Sequence, residues 1–159
     1  MRRARLAILI CAALAACGDD GGGDDTTGDP AVFPADYAAT YREVRNCRPS
    51  LDHDLMRIRV LASPEALTPY NGRTAPFPTG AIVLKEQYKD TDTACAGPIQ
   101  KYTVMQKLAA GSSPAMLDWL WQDVGANQRT LTPNIQRCPA CHTGCGKPPE
   151  GYDGTCTVP

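Results

Sequence analysis

The densest chemistry in the chain lies near its end, in RCPACHTGC, residues 137–145. Cys138, Cys141, Cys145 and His142 sit close enough in sequence to act together. Three chemistries use such a set. Cys-Pro-Ala-Cys-His at residues 138–142 matches the attachment motif for c-type haem. There, two thiols add to the two vinyl groups of the porphyrin, and the adjoining histidine is carried to the iron as proximal ligand. The same four side chains are also zinc-type ligands, although structural zinc sites usually draw theirs from two separated pairs. The third reading is a disulfide framework in which His142 is incidental. The compartment in which the chain works weighs on this choice, because exported thiols tend to oxidise.

The N-terminus points to export. Arg2, Arg3 and Arg5 precede an apolar run over residues 6–16, which has the length of a secretory signal and is too short for a permanent membrane span. Leu14-Ala15-Ala16-Cys17 resembles the bacterial lipobox, so residues 1–16 are expected to be a lipoprotein signal peptide and Cys17 the lipidated N-terminus. Residues 17–30 are rich in glycine and aspartate. With so little apolar surface to bury, they are expected to form a flexible tether. The expected location is the cell envelope, facing the periplasm, with the membrane reached through the lipid anchor only. Residues 31–159 then form one domain with 13 basic against 12 acidic residues, a balance that argues against nucleic-acid binding.

Of the eight cysteines, Cys11 leaves with the signal and Cys17 carries lipid. If Cys138 and Cys141 hold a haem, four remain for two disulfides. Three pairings of four cysteines are possible, and Cys47–Cys95 with Cys145–Cys156 is the preferred one.

The elements that position these groups are partly legible. Residues 34–45 read as a helix, with Pro34 in its first turn and Tyr37, Tyr41 and Val44 at helical spacing. Residues 55–61 alternate around Ile58 and Val60 as a strand, and residues 63–67 form a short helical turn. Residues 70–79, with Asn71-Gly72 and two prolines, read as a loop. The clearest strand is GAIVLKEQY, residues 80–88. Its alternation puts Ala81, Val83, Lys85 and Gln87 on one face and Ile82, Leu84, Glu86 and Tyr88 on the other. Residues 99–108 read as another strand, while residues 113–124 fit a helix or a strand. Trp119 and Trp121 are expected to point opposite ways, one toward a cofactor and one over the sheet. The sum is an α+β domain: an antiparallel β-sheet with flanking helices and a C-terminal c-type haem motif in a cysteine-rich loop region.

Several segments, in order, resemble the cytochrome P-460 / cytochrome c′-beta family. FPTGAIVLKEQY at residues 77–88 is similar to that family's "FP-x-G, apolar strand, Lys-Glu" segment. YREV at 41–44 resembles its first helix, and His53 followed by RIRV at 57–60 its first core strand. VMQK at 104–107 resembles a later strand, and DWLW at 118–121 the tryptophan segment before the haem motif. The resemblance implies a sheet-rich, often dimeric fold with a five-coordinate haem c on one side of the sheet. It implies nitric oxide as ligand and, in members with P-460 activity, oxidation of hydroxylamine, with electrons leaving to a redox partner protein. Those oxidising members carry a lysine bonded to the haem edge; Lys85 is the first candidate here and Lys107 the second. The chain departs from the family after His142, where TGCGKPPEGYDGTC replaces the usual ending. It also shows no obvious second carboxylate placed for proton transfer.

Other residues have simpler readings. His53, in Asp-His-Asp at a strand start, reads as a surface turn rather than a distal ligand or base. Met56, Met105 and Met116 read as core residues rather than axial ligands. Asp90 and Asp92 read as a hairpin loop. No methionine follows His142, so a sixth iron ligand comes from upstream or is absent. The leading expectation is a lipid-anchored cytochrome that binds or processes a small nitrogen ligand. The alternatives are an electron-transfer or gas-sensing cytochrome without catalysis, and a haem-free, disulfide-rich structural lipoprotein.

Overall fold

The computed structural model describes residues 28–156 apart from 51, 52, 55 and 150. The expected signal peptide, Cys17 and the expected tether up to residue 27 lie outside the described residues. Residues 29 and 30, at the end of the expected tether, already pair with the sheet: Thr130 N–H donates to the Asp29 carbonyl, and Pro30 bridges to Arg129.

Among the described residues, six strands form one antiparallel meander in chain order: β1 (Arg42–Pro49), β2 (Arg57–Ala62), β3 (Ile82–Tyr88), β4 (Lys101–Lys107), β5 (Trp119–Gly125) and β6 (Thr130–Pro133). Three short α-helices among the described residues accompany them: α1 (Tyr37–Thr40), α2 (Pro64–Gly72) and α3 (Arg137–His142). The α+β reading with an antiparallel sheet therefore stands.

Both faces of the sheet are covered, because the central strands carry apolar side chains at odd and even positions alike. On one face Ile58, Val60, Val83, Met105, Trp119 and Trp121 pack with Ala66 and Tyr70 of α2. On the other, Leu61, Ile82, Leu84, Val104 and Val124 pack with Phe33, Tyr37 and Tyr41. Glu86 is also on this second face and is only 1% exposed. Its carboxylate accepts hydrogen bonds from the Tyr37 and Tyr88 hydroxyls, each at 2.7 Å, and pairs with Arg59 at 2.7 Å. A buried carboxylate needs that many partners to offset its lost hydration. Burial, with hydrogen bonds to Tyr102 and Glu86, pushes the Tyr37 hydroxyl far above its ordinary range and keeps it a donor.

Four local expectations change. The helix expected over residues 34–45 is one turn, α1, followed by β1. Tyr37 and Tyr41 do bury on one side as a helical pattern requires, but beyond Tyr41 the chain pairs with β2. β1 is an edge strand with two irregularities and charged side chains at half its positions, so it lacks the alternation that marks a strand. The turn at residues 63–67 extends into α2, which absorbs the start of the expected loop. Residues 113–124 contain both candidates in sequence, a 3₁₀ turn over Pro114–Met116 and then β5. Trp119 and Trp121 lie on the same face and not on opposite ones, since residues two apart on a strand point the same way. β6, short and carrying a proline on the far edge, had no sequence signal strong enough to mark it.

Leu84 is fully buried at the centre of β3, whereas Leu131 on β6 is 62% exposed. Leu84→Ala is expected to lower unfolding stability by about 2–5 kcal/mol. Leu131→Ala is expected to change it by no more than about 0.5 kcal/mol. Urea denaturation of the two variants checks this contrast.

Candidate functional site

The register of the sheet lays two rows of side chains across the first face. Val83 pairs with Met105 and Met105 with Trp121, which makes an apolar row. One pleat further along, Lys85 pairs with Thr103 and Thr103 with Asp123, which makes a polar row. Val60 and Ile58 on β2 extend this floor, and α3 lies over it. Between floor and helix is a cavity of 590 Å³, within the size range of small-molecule and cofactor sites.

Cys138, Cys141 and His142 all line this cavity. The motif forms α3 directly, so both thiols and the imidazole lie within two turns of one helix. Cys138 and Cys141 are free thiols, while the structure joins Cys47 to Cys95 and Cys145 to Cys156, the two pairs preferred from the sequence. Burial pushes the Cys138 thiol above its ordinary range, with the nearby Asp123 carboxylate adding to the shift. Its neighbour Cys141 is exposed. The His142 ring packs edge-on against Trp121, with centroids 4.7 Å apart. Its Nδ1 lies 2.5 Å from the Gly154 carbonyl oxygen, which can only accept, so Nδ1 carries the proton and Nε2 the lone pair. Burial lowers the His142 pKa against the opposing pull of that carbonyl, which favours the neutral ring a metal needs.

Lys85 reaches the cavity; Lys107 does not. Lys107 is on the same face but at the other end of its strand. There it pairs with Asp153 at 2.9 Å, sits over the Trp119 ring at 4.7 Å, and lines a separate pocket of 320 Å³. His53 is not merely a surface turn. Its Nε2 lies 2.6 Å from Lys85 Nζ, and its ring lines the cavity. Burial, reinforced by the Lys85 charge, lowers the His53 pKa to about 3, so it is the neutral acceptor for the Lys85 ammonium. Met105 also lines the cavity from the core, whereas Met116 is wholly in the core cluster. A second carboxylate that the sequence reading did not mark, Asp123, also lines the cavity. One of its oxygens takes a 3.2 Å hydrogen bond from Arg137, and the other, buried Oδ1, has no hydrogen-bond partner among the described residues. Asp123 has the parity of Trp119 and Trp121 on β5, so strand alternation is the signal that points to it.

The donor set fits a covalently held haem. Two unpaired thiols and a neutral imidazole open on one cavity, and its floor carries the apolar Ile58, Val60, Val83 and Met105. It fits zinc poorly. Cys145 is committed to Cys156, and among the described residues no three of His, Cys, Asp or Glu are grouped to hold a metal ion.

A family model described as Cytochrome P460 matches residues 35–147. No curated protein matches the chain.

The half-buried His53 ring makes folding sensitive to pH. Unfolded, the imidazole takes up a proton near pH 6.5; folded, it does so only near pH 3. The unfolded state therefore binds more protons throughout that interval, and stability falls as the pH is lowered through it. Between pH 6.5 and about pH 5 the carboxylates remain ionised and contribute little. Urea midpoints across this narrower interval are expected to fall with pH in the wild type. They should fall less in His53→Gln, where the remaining slope belongs to His142.

Proposed function

The chain belongs to the cytochrome P460 family, and from that premise we propose that it is an exported, lipid-anchored cytochrome that holds one haem c in the α3 cavity and binds small nitrogen ligands such as nitric oxide or hydroxylamine. The observation that carries the reading is the pairing of the thiols. Four of the six described cysteines are in disulfides, and the two left free are those of the Cys-Pro-Ala-Cys-His motif, facing the cavity beside His142. Cys138 and Cys141 are the thioether ligands and His142 the proximal iron ligand in this reading. Two disulfides also fit an oxidising compartment, as the signal at residues 1–16 and the tethering Cys17 require.

Bound there, haem supplies a redox-active iron able to take a small ligand. The protein's own groups do the rest. Ile58, Val60, Val83 and Met105 exclude water from the floor, which favours small neutral ligands over charged ones. Lys85, neutral His53 and Asp123 supply a proton donor, an acceptor and a carboxylate on the polar part of the wall. Hydroxylamine must lose protons as it loses electrons, so these are the groups an oxidation would use. Lys85, which lines the cavity, is the candidate for a bond to the cofactor edge ahead of Lys107, which lines a different pocket.

A second reading, a gas-binding or electron-transfer cytochrome without catalysis, is favoured by the same Lys85. Its amine is engaged with His53 Nε2 at 2.6 Å, and a lysine in its ordinary protonated form is not a nucleophile. The haem-free alternative leaves the two cavity thiols with no partner and no role.

Exported in a host with haem-attachment machinery, the wild type is expected to stain for haem after denaturing electrophoresis. Cys138→Ala combined with Cys141→Ala should lose the stain. Nitric oxide should change the visible spectrum of the reduced wild type. Hydroxylamine turnover together with a Lys85-containing peptide joined to the haem peptide supports the enzyme; nitric-oxide binding with neither supports the second reading. An unstained wild type rejects both.

A further inference from the structure

Residues beyond the motif form a strap that borders the cavity through Cys145, Thr155 and Cys156 and meets the motif's imidazole at His142. Cys145 and Cys156, 11 residues apart, close it into a loop by their disulfide. Inside the loop, Gly154 N–H donates to the Cys145 carbonyl and Asp153 N–H to the Gly146 carbonyl. Tyr152 and Thr155 bond to each other's backbone, at 3.0 and 2.8 Å. Two contacts then dock the loop on the sheet. The Trp119 indole N–H donates to the Asp153 carbonyl at 2.9 Å, and the Asp153 carboxylate pairs with Lys107 at 2.9 Å. Next to these anchors, Gly154 turns its carbonyl onto His142 Nδ1. Gly154 has φ +83°, a left-handed conformation that favours glycine, and a Cβ there would lie in contact with the Trp119 indole.

A histidine whose second nitrogen donates to a fixed carbonyl has a fixed tautomer, a fixed ring plane and a more basic ligating nitrogen. The acceptor here comes from residue 154, outside the matched region at 35–147. Resting on the haem reading above, we propose that the disulfide-closed strap is a positioning device for the proximal histidine. It holds the Gly154 carbonyl on Nδ1, so that His142 presents Nε2 as a strengthened donor to the iron. Lys107, set aside by the cavity, acquires its role here, as the sheet-side anchor of the strap. A stronger axial donor stabilises the oxidised iron more than the reduced iron, so the strap lowers the haem potential.

The test compares the holoprotein with three variants: Cys145→Ser/Cys156→Ser, Gly154→Ala, and the remote control Cys47→Ser/Cys95→Ser. Midpoint potential is read by spectroelectrochemistry and iron–histidine stretching frequency by resonance Raman on the reduced form. Both strap variants are expected to keep covalent haem, shift the potential upward and lower the stretching frequency. The control, which loses a disulfide away from the strap, should leave both readouts at wild-type values. Unchanged readouts in both strap variants overturn the proposal, as does an equal shift in the control. If the wild type carries no haem, the haem reading fails, and nitrogen-15 NMR of His142 decides the strap. A proton on Nδ1 in the wild type, lost from preference in the Cys145→Ser/Cys156→Ser variant, supports the positioning; a proton on Nε2 in the wild type overturns it.

Discussion

The Trp121 indole and the His142 imidazole meet with ring centroids 4.7 Å apart, and this contact joins the sheet to the helix that bears the reactive groups. Trp121 is held from both sides. It sits opposite Met105 in the β4–β5 register, and its indole N–H donates to the Met116 carbonyl at 3.0 Å. Because side chains alternate strictly along a strand, a one-residue slip of β5 would turn Trp119, Trp121 and Asp123 away together. It would bring Leu120, Gln122 and Val124 to the cavity instead, and α3 would lose its seat. The placement of Cys138, Cys141 and His142 is therefore a consequence of strand pairing tens of residues earlier in the chain.

The floor beneath that helix is divided by the same register. The row Val83, Met105, Trp121 is apolar, and the adjacent row Lys85, Thr103, Asp123 is polar. One end of the cavity excludes water and the other holds ionisable groups, which is the combination a buried redox site with proton traffic requires. The opposite face of the sheet buries a polar network within its apolar cluster. There Glu86, Arg59 and three tyrosines satisfy one another in a closed network. Two faces of one sheet thus carry buried carboxylates with different fates. Glu86 has all its partners, whereas Asp123 keeps one oxygen unmatched among the described residues.

What was legible in the sequence follows from physics that is local. β3 was visible because its β-branched centre alternates between clear turn signals, and the motif at residues 138–142 is a contiguous chemical pattern. Alternation also grouped Lys85 with Val83, but it did not say which face met the cavity, since both faces of β3 are buried. β1 reads as helix in the sequence because the helical spacing of Tyr37 and Tyr41 belongs to α1 and its C-cap, and β1's own charged residues show no period. His53 was missed because its partner, Lys85, is 32 residues away and only tertiary folding brings them together. Asp123 was available from the parity of β5, had Trp119 and Trp121 been assigned to one face. The acceptor of His142 was beyond reach, because a backbone carbonyl leaves no mark in a sequence.

The central claim is that the free thiols of α3 are cofactor ligands and not a spare redox pair. A peptide map of the exported, unreduced protein from a host with haem-attachment machinery tests it most directly. One peptide containing Cys138 and Cys141 should carry the added mass of a single haem, with Cys47 joined to Cys95 and Cys145 to Cys156. Finding Cys138 bonded to Cys141, or either of them bonded to one of the other four cysteines, would contradict it.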